Sequence, residues 1–104
     1  MSLLSLTFHT NQDNLENFEI YTQKELKQLV ENLYQVEKYY FSEVASDYIT
    51  EGKNYNLLLI FDDENLREEF IVNELVNISE IISKKFGEAV IIFKTELNLQ
   101  YSRI

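Results

Sequence analysis

Few residues in this chain have types suited to chemistry. His9 is its single histidine, and there is no cysteine. Histidine is the side chain that ordinarily changes charge near neutral pH, so His9 is the natural general base or pH sensor. It has no partner evident in the sequence, and a lone histidine at a strand end is more commonly a surface residue. The densest carboxylate group is Asp62, Asp63, Glu64, Glu68 and Glu69. Clustered carboxylates can hold a hard cation such as Mg²⁺ or Ca²⁺. Their spacing does not match a calcium loop, and no glycine sits at the turn position that such a loop needs. Three acids opening a helix are accounted for by the positive end of the helix dipole. The serines and threonines sit in no nucleophile elbow and no phosphate loop. Neither a metal, a cofactor nor a catalytic role is therefore expected.

The tyrosines form the stronger pattern. Tyr34, Tyr39, Tyr40, Tyr48 and Tyr55 fall within 22 residues, interleaved with Glu31, Glu37, Glu43, Asp47 and Glu51. Tyrosine contributes large contact area at low rotamer cost and is enriched at interface hot spots. Acids around it would steer a basic partner. The plain alternative is that these rings lie over the core with their hydroxyls in water. The expected partner-contacting residues are Tyr34, Tyr39, Tyr40, Glu43, Asp47, Tyr48, Glu51 and Tyr55.

Charge bounds the class of partner. The 104 residues carry 18 acids against 9 lysines and arginines, a formal −9. Such a surface is repelled by nucleic-acid phosphates and by anionic membranes. The acidity lies in the middle of the chain. Residues 13–51 and 62–80 each carry a net −6, whereas 84–103 carry +2. The longest unbroken apolar runs are five residues, far below the roughly 20 that span a bilayer. The first residues lack the basic start of a secretory leader. The absence of cysteine suits a reducing compartment, so a cytoplasmic location is expected.

The elements that must position these residues follow from periodicity. The length suits one α+β domain over 1–104. Leu4 to Phe8 alternates with period two and predicts a strand. Phe18-Glu19-Ile20-Tyr21 offers a further short N-terminal strand. Thr22 with Glu25 has the form of a capping box, and Leu26, Leu29, Val30 and Leu33 trace one helical face, predicting a helix over 22–37. Residues 39–50 suit either more helix or a strand; their aromatic and β-branched content favours the strand. Glu51-Gly52-Lys53-Asn54 reads as a turn into a strand over 55–61. A second helix runs from Asp62 or Asp63 to about Phe86, with Gly87 closing it. Ala89 to Phe93 reads as a buried strand, and 95–104 as a short edge strand or loose tail. With one N-terminal strand the order is βαββαβ, which predicts a ferredoxin-like, mainly antiparallel sheet with two helices on one face.

The functional expectation is a small acidic binding protein without enzymatic activity. Its expected target is a basic or nucleic-acid-handling protein, the profile of an immunity protein, an antitoxin or a phage-encoded inhibitor. The alternative is a self-associating structural or regulatory subunit, a homodimer.

Overall fold

Nine residues of strict alternation build the central strand. In β1 (Ser2–Thr10) every even residue is buried and every odd one half-buried, so the strand separates a covered face from an open one. The computed structural model describes residues 1–45 and 51–103. Within them the order is β1, α1 (Leu15–Gln23), α2 (Glu25–Glu31), β2 (Lys38–Glu43), β3 (Lys53–Phe61), α3 (Glu64–Val72), α4 (Glu74–Phe86) and β4 (Val90–Asn98), with a 3₁₀ turn before α1 and another after α4. The strands lie in the order β2-β3-β1-β4 and are antiparallel throughout. This is the ferredoxin-like arrangement that the βαββαβ order predicts.

The core lies between the sheet and the helices. Leu4, Leu6 and Phe8 of β1 and Leu57, Leu59 and Phe61 of β3 are fully buried. Phe18, Tyr21, Leu26, Val30, Phe70, Ile78 and Ile82 meet them from the helices. Phe18 is the hub of an aromatic cluster, with ring centroids 6.1 Å from Phe8, 5.7 Å from Tyr55 and 5.4 Å from Phe86. Edge-to-face contacts at such distances add to the area that the rings bury.

Several elements depart from the sequence expectation. Phe18–Tyr21 is helical rather than a further strand, because Phe18, Tyr21 and Thr22 at i, i+3 and i+4 form the buried face of α1. Thr22 is therefore not a helix cap. It lies inside α1, buried, and its hydroxyl donates to the Glu19 carbonyl at 2.7 Å. The helical region starts at Leu15 and ends at Glu31, short of residue 37. Leu29 is half-buried, and its neighbours Leu26 and Val30 fill the core. Residues 38–43 take the strand option, while 46–50 of that expectation lie outside the described residues. Ala89–Phe93 is not a buried strand: β4 is an edge strand of nine residues, and Ile91 and Phe93 are 46% and 56% exposed.

Candidate interaction surface

All the helices lie against one face of the sheet, and the pleat decides what the other face shows. Directly paired residues share a face. Leu3, Ser5, Thr7 and His9 of β1 therefore join Asn54, Asn56, Leu58 and Ile60 of β3 on the open side. Ile91, Phe93, Thr95 and Leu97 extend that side along β4, and Lys38, Tyr40 and Ser42 extend it along β2. Among the described residues, none of these strand positions carries a carboxylate, although the chain holds 18.

The open face has two chemistries. A polar stripe runs along β1 and the start of β3. There the Nδ1 of His9 lies 2.6 Å from the Oδ1 of Asn54, and the Asn56 amide donates to the Ser5 hydroxyl at 2.7 Å. The borders are apolar and exposed: Tyr40 is 59% accessible on β2, and Ile91, Phe93 and Leu97 line β4.

The acids occupy the helical side and the rims. Asp63 caps α3, accepting from the Leu66 amide at 2.9 Å. Glu64, Glu68 and Glu96 surround Arg67, with its Nε 3.6 Å from Glu96. Glu68 shares a hydrogen bond with Glu96, and this like-charge contact raises its pKa above the ordinary 4.5. Glu37 is raised in the same way by its hydrogen bond with Asp62. Among the described residues, no group of three His, Cys, Asp or Glu side chains is placed to hold a metal ion.

Among the described residues, those expected to contact a partner lie in several places. Tyr34 stands in the turn after α2 and is 94% exposed. Tyr39 points to the helical side and packs on the core. Tyr40 faces the open side. Tyr55 is buried at 3% exposure, stacked on Phe41 at 5.7 Å, with its hydroxyl 3.5 Å from Glu19. Burial first, and then Glu19, raises its pKa. Tyr55 is thus a core residue, as its alternation with Leu57 and Leu59 could have indicated. Glu43 pairs with Lys53 at 2.8 Å on the helical side, and Glu51 is exposed beside Gly52. Asp47 and Tyr48 lie outside the described residues. The apolar border of β4 was missed as a surface because five consecutive apolar residues imitate a strand buried on both faces.

Among the described residues, no helix is long and apolar enough to cross a membrane. No curated protein matches the sequence. The fold is similar to solved structures at low identity. HapK from Hahella chejuensis aligns with a TM-score of 0.69 at 9% identity, over 100% of this chain and 97% of its own. An EthD-family protein from Bacillus halodurans gives 0.67 at 10%, over 94% of this chain and 100% of its own. A dimeric ferredoxin-like protein from an uncultured marine organism gives 0.54 at 14%, over 98% of both chains. At such identities the likeness concerns the fold alone. Residues 1–100 match the family described as a domain of unknown function, DUF4286, and the chain belongs to that family.

Proposed function

We propose that this protein is a non-enzymatic binding protein that works as a homodimer joined through the open face of its sheet. The observation that carries the reading is the segregation of charge. A chain of net −9 keeps every carboxylate off the described strand positions of that face and borders it with exposed Tyr40, Ile91, Phe93 and Leu97. Two copies meeting there keep their acidic helical layers apart, so like-charge repulsion is smallest in this orientation. The polar stripe offers hydrogen bonds across a two-fold, where every contact between two groups is made twice. The marine ferredoxin-like neighbour is described as dimeric, which supports self-association of this fold.

Sedimentation equilibrium tests the reading. The wild type should sediment as a dimer at micromolar concentration. Phe93→Glu should sediment as a monomer with an unchanged far-UV spectrum, because Phe93 is exposed and contributes little to the chain's own core. A wild type that stays monomeric at high micromolar concentration overturns the proposal.

One observation favours a second role, capture of a basic protein by the outward acidic surface. Glu16, Glu19, Glu25, Glu31, Glu69 and Glu80 are exposed on the helices. That is where an inhibitor of the immunity-protein or antitoxin type would place its charge, and the cysteine-free composition suits action in a reducing cytoplasm. Binding of this kind should weaken as salt is added.

A further inference from the structure

The strand pattern of β4 continues beyond the sheet. From Phe93 to Ser102 apolar and polar residues alternate: Phe93, Leu97, Leu99 and Tyr101 fall on one parity, with only Thr95 polar among them, and Lys94, Glu96, Asn98, Gln100 and Ser102 on the other. The ladder with β1 nevertheless ends at the pair Ser2–Asn98. Past that point the alternation belongs to a half-buried strand, yet the segment pairs with no strand among the described residues. Leu99 is 38% and Tyr101 92% exposed. A partly exposed leucine and an almost fully exposed tyrosine at the spacing of one strand face are patterned for a surface outside the fold.

We infer that residues 99–103 form an arm that crosses to a second copy of this chain and seats Leu99 and Tyr101 on the partner's open sheet face. This rests on the dimer reading above. Three further observations select a second copy as the occupant. The arm leaves from a fixed root, because buried Arg67 binds the Leu97 carbonyl at 3.0 Å and the Asn98 side chain at 3.1 Å. Its reach is sufficient: five extended residues span about 17 Å, and stacked sheets lie about 10 Å apart. Its charge is compatible, because Arg103 is the single charged side chain over 97–103, so the arm brings no carboxylate to a face whose described strand positions carry none. The arm also adds area where area is needed. The sheet face alone covers on the order of 500 Å² in projection, and each side of a stable interface commonly buries about 800 Å².

The test uses the full chain, which has no cysteine to compete for labelling. Tyr101→Cys is coupled to a maleimide benzophenone, mixed with ¹⁵N-labelled copies, irradiated and mapped by mass spectrometry. Cross-links joining a light and a heavy chain on open-face strand residues are expected; cross-links confined to one chain overturn the arm. In parallel, Leu99→Ser with Tyr101→Ser should weaken dimerisation by about tenfold or more if these are anchor residues, without moving the far-UV spectrum. A wild type that dimerises as strongly as this variant removes the arm and leaves the dimer standing. A monomeric wild type removes both.

Discussion

Arg67 shows what a single side chain does in this fold. It sits on α3 at the spacing of the apolar stripe, three residues before Phe70, and is 3% exposed. A buried guanidinium must find acceptors for its protons. Its Nη1 bridges the Leu3 and Leu97 carbonyls and the Asn98 side chain at 3.0–3.2 Å, and three carboxylates lie within 4.0 Å of its other nitrogens. It therefore pins the helix to the ends of β1 and β4. Composition alone records Arg67 only as the lone base between Asp62 and Glu80, although its place on the helical stripe marked it as inward-facing. Arg67→Met should cost about 1–3 kcal/mol in urea denaturation, since buried carbonyls lose their donor while the carboxylates remain hydrated. Arg67→Lys should recover little, because one ammonium cannot reproduce the planar fork. Full rescue by lysine would show that charge, rather than geometry, is what α3 needs there.

At the scale of elements, what could be read from the sequence depended on whether an element's own residues decide it. Asp63, the alternation of β1 and the positive φ of 59° at Gly87 are local, and the sequence is explicit about them. The start of α1 was not legible as a helix because Phe18-Glu19-Ile20-Tyr21 also fits a period of two. The residues that settle it are Tyr21 and Thr22, whose burial comes from the sheet and Phe86 rather than from their neighbours in sequence. The break at Lys24 follows from the same packing. Phe18, Thr22, Leu26 and Val30 are four residues apart, and in an ideal helix they would drift by about 120° around the axis. The altered backbone at Lys24, φ −119° and ψ −81°, takes up the drift and keeps the stripe on the sheet. Of the exposed apolar border of the candidate surface, Tyr40 alone was named from the sequence, as one of the tyrosines. Ile91, Phe93 and Leu97 were not, because only strand order makes β4 an edge. Gly52 tests an element boundary directly. Its φ is 75°, and a Cβ there would lie 1.9 Å from the Thr10 carbonyl oxygen, so the chain entering β3 has to shift to admit any side chain. Gly52→Ala should lower stability by more than the roughly 1 kcal/mol at which ordinary substitutions centre. A melt within a degree of wild type would mean that this turn does not set the start of β3.

For the whole molecule the governing quantity is net charge, and it acts on folding and on assembly with distinguishable signs. At −9 the folded chain repels itself, and two carboxyl pairs, Glu37 with Asp62 and Glu68 with Glu96, concentrate that repulsion. Each pair raises the folded-state pKa of its glutamate above the ordinary 4.5. The folded state then holds protons more tightly than the unfolded one, so the contribution of these groups is fully present below 4.5 and is lost as pH rises through the raised values. Thermal melts should therefore show higher stability near pH 5 than at pH 8, and added salt should narrow the gap by screening. A melt that rises from pH 5 to pH 8 would mean that these pairs do not repel. The proposed dimer would respond to the same charge. The open face carries no carboxylate at its described strand positions while the helical side is acidic, so association through that face would be opposed by long-range repulsion and held by apolar contact. Raising salt should tighten the dimer, whereas capture of a basic protein by the helical surface should loosen under the same change. Titrating salt at fixed pH with sedimentation as the readout separates the two roles, because one surface charge drives them in opposite directions.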